Sequence, residues 1–371
     1  MNPLKQLQHH GQSVWLDDIH RSLILNGGLK RLIVEDGLRG VTSNPTIFEK
    51  AIDRSTDYDE SMEQRLLAEP NMDVKALYES LTVEDIRMAA DEFQPVFEET
   101  QGRDGFVSIE VSPSLADDTR GSIIEARRLW REVDRPNLMI KIPATKAGLL
   151  AIEALLAEGI NVNITLIFSL AHYDAVVQAF LQGAARCPEP TRLASVASVF
   201  VSRVDARVDG ILDTIGTPDA LALRGTIAIA NARIIHRRFR DLFYGEAFAS
   251  LRRRGVQVQR LLWASTGTKD PTYSDVRYVD ELIGLNTITT VPLRTLKAFR
   301  DHGRVRGATA FEGLVEAKAS LDRLKDLSVD LAAVTERLQQ DGLAAFTASI
   351  DTVLAMLKVK SHACEIRESR S

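Results

Sequence analysis

Two stretches decide the fold: Leu138-Met-Ile-Lys-Ile-Pro143 and Ile160-Asn-Val-Asn-Ile-Thr-Leu166. Side chains alternate across a strand with a period of two. In the first stretch Leu138, Ile140 and Ile142 share one face, while Met139 and Lys141 take the other. In the second, Ile160, Val162, Ile164 and Leu166 oppose Asn161, Asn163 and Thr165. A third run, Phe106–Ser112, sets Val107, Ile109 and Val111 against Ser108, Glu110 and Ser112. Alternation of this kind would suit an antiparallel sheet with one wet face. The joints exclude that reading, because the segments between the runs are long enough for helices and none reads as a two-residue hairpin. Strands joined by helical crossovers form a parallel sheet.

Working outward, further strand-like runs lie at Ser13–Asp17, Gly40–Ser43, Ala194–Val201, Arg260–Ser265 and Asn286–Val291. Eight strand–helix units in succession favour a closed (β/α)8 TIM barrel over an open, doubly wound sheet. The chain has 371 residues, within the range of such barrels when they carry insertions. Helical insertions are expected near 53–103, with helices Asp59–Ala68, Asp73–Ser80 and Thr82–Glu99. A second lies near 203–255, with an arginine face at Arg233, Arg237, Arg238 and Arg240. A helical C-terminal extension covers 293–358, broken near Leu327–Ser328, and the polar residues Ser361–Ser371 read as a mobile tail. Neither a linker nor an internal repeat interrupts the pattern, so residues 1–371 read as one elaborated domain.

Composition narrows the function. Hydrophobic residues make up 45% and charged residues 26%, enough for a core and a solvated surface. A net charge of −5 excludes nothing by itself, but a nucleic-acid role would need a basic stripe to overcome it. Two isolated cysteines, Cys187 and Cys364, suit a reducing compartment better than a disulfide framework or zinc site. The N-terminus lacks an apolar signal region and no run approaches the length of a membrane span, so a soluble cytoplasmic protein is expected. No glycine-rich nucleotide motif is present. The seven histidines form no ligand pair beyond His9–His10, and no cofactor or metal is expected. Trp15, Trp130 and Trp263 read as core, and Phe168 and His172 as helix packing.

In a barrel the apolar strand faces pack under helices, so Lys141, Glu110 and the two asparagines point inward. Buried polar groups without partners are costly. Their concentration on neighbouring strands makes sense at the carboxyl ends, where barrel enzymes hold their sites. A lysine enclosed by apolar walls and near other cations gives up its proton more easily, and the neutral amine attacks carbonyls. Glu110 and Asp17 can do acid–base work, and Asn44, Asn163, Thr165 and Ser198 can clamp a polyol. An iminium is itself the electron sink, so this chemistry needs no metal. Lys146, in the loop that follows, is the rival nucleophile but reads as more exposed. Asp18 competes with Asp17; the period of two pairs Asp17 with Trp15 and favours Asp17.

The segments Gly40-Val-Thr-Ser-Asn-Pro-Thr46, Ile109-Glu-Val-Ser112, Met139-Ile-Lys-Ile-Pro-Ala-Thr145 and Gly159-Ile-Asn-Val-Asn-Ile-Thr-Leu166 resemble transaldolase signatures. So do Ala197-Ser-Val-Phe-Val-Ser-Arg-Val-Asp205 and Leu262-Trp-Ala-Ser-Thr-Gly-Thr-Lys269. The resemblance runs from about Val14 to Pro292, and the length is similar to that of the longer bacterial subgroup. It implies a Schiff-base lysine at Lys141. It also implies transfer of dihydroxyacetone from sedoheptulose 7-phosphate to glyceraldehyde 3-phosphate, in the non-oxidative pentose phosphate pathway. By the same matching Asp17 takes the hydroxyl proton during cleavage, and Glu110 with a water on Thr165 serves the imine. Asn44 and Asn163 hold hydroxyls with Thr42 and Ser198 nearby, and Phe200 excludes water. Arg203 falls on the phosphate-binding arginine, against the plainer reading of a surface partner for Asp205 or Asp209. The seventh strand departs from shorter members that place Ser-Phe-Arg there; here Ser265 and Lys269 take the phosphate side. The partners implied are sugar phosphates, with neither nucleic acid nor membrane, and the chain as monomer or homodimer. Two alternatives remain: a ketose-phosphate aldolase that releases free dihydroxyacetone, and a barrel scaffold without catalysis.

Overall fold

The computed structural model describes residues 2–53 and 55–368, with side chains as far as residue 361. Eight parallel strands close in sequence order: β1 (Gln12–Leu16), β2 (Gly40–Val41), β3 (Phe106–Glu110), β4 (Leu138–Pro143), β5 (Val162–Ile167), β6 (Ser195–Phe200), β7 (Arg260–Ala264) and β8 (Thr287–Val291). β8 pairs with β1 from Gln12↔Thr287 to Leu16↔Val291, which shuts the ring. The barrel expected from the alternation is the observed fold.

The alternation works as the sequence dictates. Val14, Leu16, Ile140, Ile142, Val162 and Ile164 are buried beneath the surrounding helices. Inward residues of β1 close the floor: the Trp15 indole donates to Asp104 Oδ1 at 2.9 Å, and Arg260 donates to Ser13 Oγ at 2.6 Å. Gly40 is what lets the indole fit, since a Cβ there would sit 2.6 Å from the ring. With the floor filled by side chains, the carboxyl ends of the strands form the open end.

Four expectations are corrected. The helices Asp73–Ser80 and Thr82–Glu99 are one helix, Val74–Glu99, because Leu77, Leu81, Asp85, Ala89 and Phe93 form an unbroken buried stripe at i+4 spacing. The C-terminal region breaks at residues 327–330 as expected, but also between His302 and Leu314 around the short Thr309–Phe311 turn. Its last helix runs from Leu331 to Glu368, well past residue 358, so residues 361–368 continue a helix; residues 369–371 and the Cys364 side chain lie outside what is described. Finally, Leu166 does not share the outer face of Val162 and Ile164. Its backbone is left-handed, φ 59°, where the β5–β6 register shifts between Ile164 and Ile167. The 203–255 insertion holds the helices Ser202–Ile215 and Ile227–Phe243. Its arginine face pairs off, Arg233 with Glu281, Arg237 with Asp241 and Arg238 with Asp174, while Arg240 lies over the Phe311 ring.

The helix Leu331–Glu368 contains a stretch apolar and long enough to cross a membrane by length and composition. Here it lies against the protein, with Leu338, Phe346, Val353 and Leu357 buried. Val353 and Leu357 join Ile52, Tyr58, Met62, Leu77 and Leu81 in a second, smaller core outside the barrel. That core ties the 53–103 insertion to the C-terminal helix. Arg21, itself buried, fastens the same insertion to the segment after β1 through Asp85 at 2.8 Å and Glu84 at 2.7 Å.

His236, on Ile227–Phe243, is buried against Trp263 and Phe311. Burial, reinforced by Arg240, pulls its pKa down to about 4. An unfolded chain regains an ordinary histidine and binds more protons below pH 6.5, so stability falls as pH drops from 6.5 toward 4, by roughly 3 kcal/mol at most. Urea midpoints measured at pH 7 and pH 5 should therefore lie closer together in His236→Gln than in the wild type.

Candidate active site

Register places the central pair. Glu110 on β3 is opposite Lys141 on β4, and Lys141 is opposite Asn163 on β5. Neighbouring strands stand about 4.8 Å apart, so inward side chains in one row meet. Lys141 Nζ donates to Glu110 Oε2 at 3.0 Å and to the Ser43 carbonyl at 3.0 Å. Both side chains are 5% exposed, so the pair interacts with little screening by water. Burial pushes the Glu110 carboxyl up from its ordinary value, while Lys141 draws it back down. The partner of the amine is thus a carboxylate rather than the neighbouring cations that the sequence reading emphasised.

A cleft of about 470 Å³ opens above this row. Lys141, Asp17, Thr42, Asn44, Thr165, Ser198 and Phe200 line its inner part. Thr42 donates to Asp17 Oδ1 at 2.9 Å and shares a 2.7 Å hydrogen bond with Thr290. This fixes the Asp17 carboxylate in the cleft. Asp18 does not line it; burial, opposed by His20, raises its pKa. Thr165 Oγ1 is buried with no partner among the described residues, a hydroxyl that can hold water or substrate.

Two expected residues sit one step back. Asn163 lies beneath the cleft, accepting from Ser198 Oγ at 2.6 Å and donating to Ser108 Oγ at 3.0 Å, so it steers Ser198. Glu110 stands behind Lys141 and lines a separate side cavity of about 40 Å³ with Tyr78, Glu79 and Glu125. Lys146 begins the helix Lys146–Ala157 and does not line the cleft, which leaves Lys141 as the enclosed amine.

The outer part of the cleft is cationic. Arg203, Lys269, Lys50 and Arg294 line it with Ser265, and none of the four is in a salt bridge among the described residues. Arg203 does not pair with Asp205 or Asp209: Asp205 accepts from Tyr278 and the Ala228 amide, Asp209 from Tyr273 and the Gly225 amide. Burial pulls the Arg203 guanidinium below its usual value. Lys269 is lowered too, by burial first and then by Arg294, Arg203 and Lys50. Cations crowded together, opposed by Asp17 but in no salt bridge among the described residues, form a site for an anion such as phosphate. Ser265 adopts a left-handed backbone, φ 54°, and its hydroxyl and carbonyl bond Ser202 at the start of Ser202–Ile215. Such strain at a non-glycine residue persists only where the surroundings enforce it.

The sequence reading missed Lys50, Arg294, Thr290 and Phe346 in this cleft. Arg294, three residues past the end of β8, carried the same strand-end signal as Arg203. Phe346, on the C-terminal helix, carried none. Among the described residues no three His, Cys, Asp or Glu side chains converge as a metal site would require.

A polar cleft at the carboxyl ends of a parallel barrel, with an amine held on a carboxylate at its base, marks a (β/α)8 enzyme and not a passive scaffold. The family description "Transaldolase/Fructose-6-phosphate aldolase" matches residues 14–357, which extends the likeness through most of the C-terminal helix. A transaldolase of Thiobacillus denitrificans is 46% identical over 361 residues, covering 96% of this chain and 100% of that protein. One of Thermobifida fusca is 47% identical over 357 residues, covering 95% and 96%, and one of Mycolicibacterium smegmatis is 44% identical over 358 residues, with the same coverage. The chain belongs to the transaldolase/fructose-6-phosphate aldolase family. It is an enzyme of the transferase class, and full-length likeness at this level carries transaldolase activity with it.

Losing one charge-assisted contact to a bound anion costs about tenfold or more in affinity. Lys269→Ala and Arg294→Ala should each weaken inorganic phosphate binding to that extent in calorimetry. Unchanged affinity would remove the residue from the anion site.

Proposed function

We propose that Lys141 forms a Schiff base with the donor ketose and that the enzyme moves a dihydroxyacetone unit from sedoheptulose 7-phosphate to glyceraldehyde 3-phosphate. The products are erythrose 4-phosphate and fructose 6-phosphate, and the reaction belongs to the non-oxidative pentose phosphate pathway, in the cytoplasm where such sugar phosphates are handled. The observation that carries this reading is the buried 3.0 Å pair of Lys141 and Glu110.

The steps follow from the positions of the groups. Inside a desolvated pair, passing the ammonium proton to Glu110 neutralises both partners, and burial already favours the protonated carboxyl. The neutral amine adds to the ketose carbonyl. Glu110 then returns its proton to the carbinol oxygen, which leaves as water, with Thr165 Oγ1 to hold it. Asp17 takes the proton of the substrate hydroxyl beyond the scissile bond. That carbon–carbon bond breaks, its electrons flow to the iminium, and the aldose phosphate departs. The enamine left on Lys141 adds to the acceptor aldehyde, and the same steps in reverse release the new ketose. Asn44, Thr42 and Ser198, steered by Asn163, hold the hydroxyls of the three-carbon unit, and Phe200 keeps water away. Arg203, Ser265 and Lys269, joined by Lys50 and Arg294, hold the phosphate.

Borohydride reduction with fructose 6-phosphate, followed by peptide mapping, should leave a three-carbon adduct on Lys141 and none in Lys141→Ala. An adduct on Lys146 would end the proposal. Glu110 must be ionised to take the ammonium proton, so kcat/KM should fall on the acid side, starting above the ordinary glutamate range of about 4.3. Glu110→Gln should lower kcat and abolish that limb; a limb that survives unchanged belongs to another group. Transfer from fructose 6-phosphate to erythrose 4-phosphate, measured against free dihydroxyacetone, distinguishes transferase from aldolase.

A further inference from the structure

The C-terminal helix Leu331–Glu368 reaches the cleft at the mouth of the barrel, packed against β5 and the helices of the 53–103 insertion. Its contacts fall at Gln339, Gly342, Phe346, Ser349, Val353, Leu357 and Lys360, intervals of three or four that define one face. The Gln339 amide donates to the carbonyls of Ala144, just past the end of β4, and of Leu166, in the last two residues of β5, at 3.2 and 3.0 Å. Leu166 is the strained, left-handed residue there, and its carbonyl is held by this helix. Gly342 brings the helix close, since a Cβ would sit 2.8 Å from Leu166 Cδ2. Ser349 bonds Thr46 at 2.8 Å, beside the cleft. At the far end Val353 and Leu357 enter the second core, and Lys360 pairs with Asp59 of the insertion at 3.0 Å.

Between these anchors sits Phe346, 3% exposed, with its ring centroid 5.5 Å from Lys141 Nζ. A ring beside that nitrogen attracts the positive charge of an iminium and denies the space to water. We propose that Phe346, held over Lys141 by a helix that the 53–103 insertion clamps in place, sets how the bound three-carbon unit divides between acceptor aldehyde and water. The proposal rests on the Schiff base argued above.

The chemistry of the two fates is distinct. The enamine carbon either attacks the aldehyde carbon, whose oxygen takes a proton, or it takes a proton itself. In the second case the resulting iminium adds water, the carbon–nitrogen bond breaks, and dihydroxyacetone leaves with the amine restored. One water is consumed for each unit lost. The aldose half carries the phosphate held at the outer cations, so the broken bond faces the mouth. A competing proton must come from that side, and Phe346 occupies it. Glu110, which reaches the imine from the side cavity behind Lys141, and Thr165, in the cleft itself, serve the last hydrolysis.

The test uses the full-length enzyme with fructose 6-phosphate as donor and erythrose 4-phosphate as acceptor, counting dihydroxyacetone released per sedoheptulose 7-phosphate formed. Phe346→Ala should raise that ratio about tenfold or more, the scale of a desolvated ring–cation contact, and Phe346→Leu should raise it less. Leu357→Ala, in the second core and away from the cleft, should move it in the same direction by a smaller factor. Borohydride trapping with dihydroxyacetone should stay at wild-type stoichiometry in all three. A wild-type ratio in Phe346→Ala, or a loss of trapping there, overturns the role of Phe346. Should that variant fail to fold, wild-type ratios in both Phe346→Leu and Leu357→Ala overturn it equally. Absence of trapping in the wild type would instead sink the Schiff base and leave the partition measurement standing on its own.

Discussion

An ammonium and a carboxylate taken out of water together lose several kcal/mol of hydration each, and only close contact with further hydrogen bonds offsets that loss. The Lys141–Glu110 pair meets the condition because parallel register sets β3 and β4 side by side and the Ser43 carbonyl takes another amine proton. Such a pair adds little net stability. What it provides is a proton that can shift between two atoms without crossing bulk water. The closed barrel exists, in this sense, to hold two charges in a place where neither is comfortable.

The outer cleft shows the opposite imbalance. Four cations crowd the outer cleft with the Asp17 carboxylate beside them, and burial first, then the neighbouring cations, lowers the proton affinity of Lys269. A phosphate dianion relieves the repulsion among the cations as it forms its own contacts, so binding the non-reacting end of a sugar releases energy that can be used at the reacting end. Barrel enzymes commonly separate a phosphate anchor from the chemistry in this way. In this chain the cationic outer cleft draws on the ends of several strands and on Lys50 from the helix after β2.

Much of this was legible in the residues. Period-two alternation in Leu138–Pro143 and Ile160–Leu166 fixed which groups face inward, and the crossover lengths fixed a parallel sheet. That was enough to bring Asp17, Lys141, Thr165, Ser198 and Arg203 into one cleft. Alternation could not show that Leu166 breaks its own pattern, because the left-handed turn there is imposed by the neighbouring strand and by Gln339. Nor could it show that Asn163 and Glu110 stand a layer behind, since depth in a barrel depends on stagger between strands. The segment 73–99 read as two helices because its middle is polar; burial of Asp85 against Arg21 and Tyr58 is a tertiary fact. Phe346 was beyond reach for the same reason: it lies far along the chain from every strand and gains its meaning from where a helix lands.

The second core joins residues near position 60 to residues near position 355, with almost the whole barrel threaded between them. A chain made from its N-terminus displays Ile52, Met62, Leu77 and Leu81 long before Val353 and Leu357 exist to cover them. The oily patch on the early insertion must therefore wait, exposed, through nearly all of synthesis, and contacts of such long span are among the slowest to form. The helix that reaches the cleft is thus made only after all eight strands, so Lys141 is in the chain well before Phe346 can stand beside it.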